Sequence, residues 1–117
     1  MRFLYIEDER NDIELMSRYF ASTEHELIVV TTIDELWQKL DDTIDLIMID
    51  VFLYGEKSGY TLATQLRANG YVQPLIAITA LATSKDNMDL EAAGFDMVIH
   101  KPLTFNDLQN ALEQFVY

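Results

Sequence analysis

Short apolar runs alternate with longer amphipathic segments along this chain. The runs cover Phe3–Ile6, Leu27–Val30, Leu46–Ile49, Leu75–Ile78 and Met97–His100. Runs that are apolar on both faces and separated by helical patterns are typical of buried strands in a parallel sheet. The pattern therefore predicts five parallel strands, each followed by a helix.

The segments after each run place apolar residues at helical spacing. Helices are predicted over Asn11–Ala21, Ile33–Leu40, Gly59–Asn69, Ser84–Ala93 and Thr104–Tyr117. Two of them begin with a capping-box pattern, Thr32 with Glu35 and Thr104 with Asp107. Gly70 supplies a stop after the third helix.

This order of elements predicts an α/β fold. With five strands, the expected arrangement is a parallel sheet of order 2-1-3-4-5, a flavodoxin-like (βα)5 sandwich with helices on both faces. The length suits one domain over residues 1–117, and no repeat or Pro/Gly-rich linker divides it. Strands 1 and 3 are then neighbours at the centre, and strand 2 lies at the margin.

Composition and charge narrow the possible partners. The formal net charge is -12, which argues against nucleic-acid binding by this domain and against an anionic membrane surface. The chain has no cysteine, which excludes disulfides, thiol nucleophiles and zinc–thiolate sites. No apolar run approaches the ~20 residues of a membrane span, and no signal peptide is recognisable. A cytoplasmic location is predicted.

Polar residues suited to phosphoryl chemistry follow four of the five runs. Glu7 and Asp8 follow the first run, Asp50 the third, Thr79 the fourth and Lys101 the fifth. Because parallel strands end at one edge of a sheet, these side chains should converge there. Crowded carboxylates favour a shared cation, and an all-oxygen set with few protein ligands suits Mg²⁺. One carboxylate could then be the nucleophile that forms an acyl phosphate.

Each of these features also has an ordinary explanation when taken singly. The acids from Glu7 to Asp12 could charge and cap a helix N-terminus, and Lys101-Pro102 could be a surface turn. Asp50 could be a loop residue, and Thr79 a satisfied hydroxyl at a strand end. Their joint order at successive strand ends favours a shared site.

The ordered set resembles the receiver domain of two-component response regulators, the CheY-like superfamily. The resemblance spans essentially the whole chain. The matching segments are Ile6-Glu7-Asp8-Glu9, Asp45–Asp50, Ser58-Gly59, Ile78-Thr79-Ala80, Ala93–Asp96 and Lys101-Pro102. No single segment is decisive, but the set in this order is specific.

The resemblance implies a phospho-acceptor switch. Asp50 would accept a phosphoryl group from the phosphohistidine of a histidine kinase or phosphotransfer protein. Mg²⁺ would be held by Glu7, Asp8, Asp50 and the backbone carbonyl of Phe52. Such a domain catalyses its own phosphorylation and dephosphorylation and is not a turnover enzyme.

The resemblance also implies how the phosphoryl group is sensed. The Thr79 hydroxyl and the Ala80 amide would contact its oxygens, and Lys101 would bridge it to the acids. Phe52 and Leu81 would flank it. The peptide bond between Lys101 and its proline would be cis. Phosphorylation would then change the surface formed by the fourth helix, fifth strand and fifth helix.

Two departures from the family pattern stand out. Val98 occupies a position where the family usually has Tyr or Phe, so the usual ring motion is impossible there. The loop from Asp50 to Gly59 is one residue longer than is typical, and Leu53-Tyr54-Gly55 lacks the usual proline.

The output partner is predicted only by class, as a downstream protein or a fused output domain. The last helix has no Lys or Arg, which disfavours the ion-paired dimer of DNA-binding relatives. Met1 directly before the first strand favours a stand-alone or N-terminal receiver. One alternative is a phosphorylation-independent pseudo-receiver. Another is an aspartyl phosphohydrolase, which would need an acid where Phe52 stands.

Overall fold

The structure is a computed structural model that describes residues 1–80 and 83–116. Strands β1 to β5 cover Arg2–Ile6, Glu26–Val30, Leu46–Asp50, Leu75–Thr79 and Met97–His100. Helices α1 to α5 cover Arg10–Ala21, Ile33–Lys39, Ser58–Ala68, Ser84–Ala93 and Phe105–Val116. All ten predicted elements are confirmed, although Tyr117, the predicted end of the last helix, lies outside the described residues. No helix within them is long and apolar enough to cross a membrane.

The five strands form one parallel sheet in the order β2-β1-β3-β4-β5, as predicted. At the carboxyl end of β1, Ile6 lies opposite both Val30 of β2 and Ile49 of β3. Asp50, the last residue of β3, lies opposite Ile78 of β4. The ends of the central strands therefore lie side by side, which confirms the flavodoxin-like fold.

Alternation of side chains along the strands divides the core into two clusters. The cluster beneath α1 and α5, on what we call the α1/α5 face, includes Phe3, Tyr5, Met16, Phe20, Met48, Ile99, Leu108 and Leu112. The cluster on the opposite, α2–α4 face includes Leu4, Ile6, Leu36, Ile47, Ile49, Leu62, Leu66 and Leu90. Helices thus cover both faces of the sheet, and Val98 is partly buried against the α2–α4 face.

Threonine side chains cap three helices. The hydroxyl oxygens of Thr32 and Thr104 each accept a hydrogen bond from the backbone N–H three residues later, at 3.1 Å. At the start of α4, Thr83 and Asp86 form a complete reciprocal capping box that was not predicted from the sequence. Each cap satisfies an N–H group that the helix itself leaves unpaired.

Candidate functional site

Three predicted site residues continue the side-chain rows of the α1/α5 face. Glu7, Asp50 and Lys101 each lie two positions after a residue of the core on that face. Those core residues are Tyr5, Met48 and Ile99. Because residues two apart in a strand share a face, the acids and the lysine project to the same side of the sheet edge.

Lys101 lies at the centre of this cluster. Its Nζ is 2.8 Å from Glu7 Oε1, 2.9 Å from Asp12 Oδ2 and 3.6 Å from Asp50 Oδ1. The Lys101 backbone N–H donates to the Thr79 carbonyl at 2.8 Å, which holds the end of β5 beside the end of β4. Its peptide bond to proline is cis, as the resemblance implied.

Burial and neighbouring charges both affect the pKa values of Glu7 and Lys101. Glu7 is 0% exposed and Asp50 3% exposed. Burial raises the pKa of Glu7 above its usual range, and the neighbouring Asp50 carboxylate raises it further, while the Lys101 ammonium opposes both. Burial tends to lower the pKa of Lys101, but hydrogen bonds to Glu7 and Asp12 outweigh it and raise the pKa. The ammonium therefore stays charged among acids that outnumber it.

The donor set at this edge fits a Mg²⁺ ion. Glu7, Asp8 and Asp50 each offer a carboxylate oxygen, and these oxygens lie within 4.8 Å of one another. The buried Oε2 of Glu7 has no hydrogen-bond donor among the residues that the structure describes. An unpaired buried carboxylate oxygen is costly, so a cation there would relieve it. Asp8 is exposed, which leaves room for the waters that Mg²⁺ retains.

A tight turn lies in the loop between β3 and α3. Leu53 and Glu56 form an isolated antiparallel bridge, and the Glu56 N–H donates to the Leu53 carbonyl at 3.0 Å. Between them, Tyr54 has φ 55° and Gly55 has φ 76°. Two central residues with positive φ are the mark of a two-residue type I′ turn.

Tyr54 attaches this turn to the acidic edge. Its backbone N–H donates to Asp8 Oδ2 at 2.8 Å. Its hydroxyl donates to the Thr31 carbonyl in the loop after β2. A non-glycine residue in the left-handed region costs about 1–2 kcal/mol, which these two hydrogen bonds help to offset. The loop thus orients one of the three carboxylates.

Gly59 lets α3 approach the backbone that follows the predicted phosphoacceptor. A Cβ at this position would lie 2.6 Å from Val51 Cα and 3.0 Å from the Asp50 carbonyl oxygen. The Gly59 N–H also donates to the Val51 carbonyl at 3.0 Å. The contact is between backbones, so no side chain can rotate away to make room.

We expect Gly59→Ala to lower the free energy of unfolding by about 1–3 kcal/mol, the usual cost of overpacking. Urea denaturation measures this change. Thr61→Ala, on the exposed side of the same helix, is the matched control and should stay within about 0.5 kcal/mol of wild type. Equal stability of the two variants would contradict the close contact.

The other predicted residues also lie at the strand ends. Thr79 is buried at the end of β4, and the exposed Ala80 follows it. Phe52 is partly buried, and its N–H donates to Asp50 Oδ1 at 3.1 Å. Leu81 lies outside the described residues.

Asp12 is a residue of this cluster for which the sequence predicted no specific role. It belongs to the first turn of α1, where an acid is also explained by favourable interaction with the helix N-terminus. The start of α1 is fixed by Glu9, whose side chain accepts a hydrogen bond from the Asn11 N–H at 2.9 Å. The one available signal was that α1 packs on the face to which Glu7 and Lys101 project.

Comparison with curated proteins finds relatives among response regulators. The response regulator SaeR of Staphylococcus aureus (strain USA300) is 23% identical over 105 residues, which cover 90% of this chain and 46% of SaeR. The chain therefore spans about half the length of the curated relatives that it matches.

Comparisons with solved structures and with a family model also find response regulators. A response regulator receiver protein from Pseudoalteromonas atlantica superposes with a TM-score of 0.88 at 14% identity, covering 99% of this chain and 97% of that one. The chemotaxis response regulator CheY4 of Vibrio cholerae gives 0.85 at 17% identity, covering 97% of each chain. At these identities the likeness shows the fold. The family model for the response regulator receiver domain matches residues 3–113, and the chain therefore belongs to this family of two-component system proteins.

Proposed function

We propose that this receiver domain is a phosphorylation-controlled switch with Asp50 as its phosphoacceptor. The observation that carries the proposal is the position of Asp50, which is nearly buried at a strand end, beside the acids Glu7 and Asp8 and 3.6 Å from the Lys101 ammonium. A nucleophile, a set of oxygen donors and a fixed positive charge at one edge are what phosphoryl transfer requires.

The donor is a phosphohistidine of a histidine kinase or phosphotransfer protein. One Asp50 carboxylate oxygen forms the new O–P bond as the P–N bond of the donor breaks, and the imidazole nitrogen keeps the bonding electron pair. Lys101 pairs with the transferred phosphoryl oxygens. The Thr79 hydroxyl and the Ala80 amide donate to those oxygens. These contacts stabilise the negative charge of the phosphoryl group. The transfer needs no general acid or base.

Mg²⁺ is the proposed cofactor of this step. Glu7, Asp8 and Asp50 would hold it with their carboxylates, and Phe52 with its backbone carbonyl. When bound, the ion neutralises charge on the acids and on the incoming phosphoryl group. The residues themselves fix where the acceptor oxygen points, since the Phe52 N–H engages Asp50 Oδ1.

The proposed output follows from the connection between the ends of β4 and β5. The Lys101 N–H is bonded to the Thr79 carbonyl, so displacement of either residue by a phosphoryl group moves both strand ends. That shift would change the surface of α4, β5 and α5, which a downstream protein or a fused output domain reads. Val98 stands where the family resemblance implies an aromatic ring, so the change would travel through the backbone or through another residue that takes the place of the ring.

Intact-mass measurement tests the proposal. After incubation with Mg²⁺ and phosphoramidate, we expect wild type and the control Asp42→Asn, which changes an exposed acid, to gain one phosphoryl group. We expect Asp50→Asn, and wild type with the metal chelated, to gain none. A phosphoryl group on Asp50→Asn, or none on wild type, would refute the assignment.

A further inference from the structure

The Lys101 ammonium is held away from the proposed acceptor by two other carboxylates. Glu7 Oε1 and Asp12 Oδ2 lie within hydrogen-bond distance, at 2.8 and 2.9 Å, whereas Asp50 Oδ1 is 3.6 Å away. An ammonium directs its hydrogens to the nearest acceptors. In this state the lysine is therefore engaged with Glu7 and Asp12, and only electrostatically with Asp50.

Glu7 and Asp12 differ in what else they can do. Glu7 belongs to the acidic set with Asp8 and Asp50, so a cation at that edge would engage it. Asp12 lies outside that set, on the first turn of α1. Among the residues described in the structure, the Asp12 carboxylate is seen paired with Lys101. The mechanism proposed above leaves this carboxylate unused.

We propose that Asp12 is a positioning residue that holds Lys101 in a resting position and competes with the phosphoryl group on Asp50 for its ammonium. The inference rests on the proposed function. Asp12 is carried by a helix that packs on the sheet through Met16 and Phe20, whereas Lys101 has a flexible four-carbon stem. When a phosphoryl group on Asp50 competes for the ammonium, the Lys101 side chain moves and the Asp12 carboxylate stays in place.

The ion pair between Asp12 and Lys101 is strong enough to favour the resting position of the lysine and too weak to keep it there once a phosphoryl group is present. Both side chains are 21% exposed, so solvent and salt screen their attraction. A phosphoryl group carries up to about two negative charges at neutral pH and offers several acceptor oxygens. It would therefore outcompete one partly exposed carboxylate, while the unphosphorylated domain keeps the lysine withdrawn.

Binding of beryllium trifluoride, an analogue of the aspartyl phosphoryl group, tests this inference at saturating Mg²⁺. We expect Asp12→Asn to bind it about two- to fivefold more tightly than wild type, the range that a partly exposed ion pair implies. The conservative Asp12→Glu should restore wild-type affinity. Glu14→Gln removes an equal charge from an exposed position of α1 and should change nothing. Asp12→Ala gives the same comparison if the asparagine variant does not fold.

A spectroscopic measurement separates positioning from simple repulsion between Asp12 and the anion. In the unphosphorylated protein, hydrogen bonds slow proton exchange of the Lys101 ammonium, which ¹⁵N-edited NMR detects. We expect this exchange to be at least about twofold faster in Asp12→Asn than in Glu14→Gln. Unchanged exchange, or no protected ammonium in wild type, would overturn the inference.

The two proposals fail in different ways. If wild type takes up neither a phosphoryl group nor beryllium trifluoride, the proposed function falls and this inference with it. If wild type takes up both but Asp12→Asn behaves like Glu14→Gln, the inference alone falls.

Discussion

Lys101→Met is expected to lower the free energy of unfolding of the metal-free protein by about 3–5 kcal/mol at neutral pH, as removal of one partner from a buried ion pair does. The substitution leaves the nearly buried Asp50 carboxylate without the ammonium that lies 3.6 Å from it, and the fully buried Glu7 without the hydrogen-bond donor that lies 2.8 Å from its Oε1. Urea denaturation at pH 7 measures the loss. Methionine keeps most of the side-chain volume, so packing is little changed.

Lys85→Met is the matched control for this substitution. Lys85 pairs with Asp89 at 3.0 Å, one helical turn away, but its side chain is 84% exposed. Removal of such a pair should leave the unfolding midpoint within measurement error. Added Mg²⁺ should restore part of the stability of Lys101→Met and none of the Lys85 variant. Similar losses in the two variants would show that the cluster does not depend on its lysine.

Glu7→Gln is expected to have the opposite effect and to raise the free energy of unfolding of the metal-free protein. Burial, followed by the neighbouring Asp50, raises the pKa of Glu7 to about 10 in the folded state, against 4.5 for an ordinary glutamate. The stability that Glu7 contributes is therefore fully present below pH 4.5 and is lost as the pH rises towards 10. Glutamine does not ionise, so its advantage appears above pH 4.5 and grows with pH.

At pH 8 we expect Glu7→Gln to gain about 1–3 kcal/mol, the usual cost of an unsatisfied buried polar group. The same variant should bind Mg²⁺ more weakly, because an amide oxygen replaces a carboxylate. Calorimetric titration measures the affinity, and wild type should release protons on binding. Glu14→Gln makes the same change of charge at an exposed site and should change neither the free energy of unfolding nor the Mg²⁺ affinity. A Glu7→Gln variant that is less stable than wild type at pH 8 would contradict this account.

Hydrophobic periodicity was sufficient to predict the fold and the convergence of polar residues at one edge of the sheet, whereas the roles expected of those residues came from the family resemblance. The apolar runs could be buried on both faces only in a sheet covered by helices, and the sheet order then placed the ends of the first, third and fifth runs near one another. Glu7, Asp50 and Lys101 meet because each continues the row of one face. The sequence predicted their convergence from the shared edge of the strand ends, and strand alternation accounts for the face that they share.

Features that depend on the exact rotation of a helix or on an uncommon backbone state escaped prediction. Asp12 reaches Lys101 only because α1 is turned so that its first turn faces the sheet edge, and charge at a helix start has a simpler explanation. The turn at Tyr54 and Gly55 was missed because tyrosine rarely takes a positive φ and the usual Asn-Gly signal is absent. The cap at Thr83 also went unpredicted, although Thr83 and Asp86 have the same spacing as Thr104 and Asp107.

Because the core lies on two faces of the sheet, substitutions on the two faces have different consequences for the ionic cluster. Glu7, Asp50 and Lys101 extend rows of the α1/α5 face, whereas Val98 packs on the α2–α4 face, behind the sheet. A change of volume at Val98 therefore reaches the acids only through the β5 backbone. Substitutions at such positions can therefore reshape the α2–α4 face while the ionic cluster keeps its geometry.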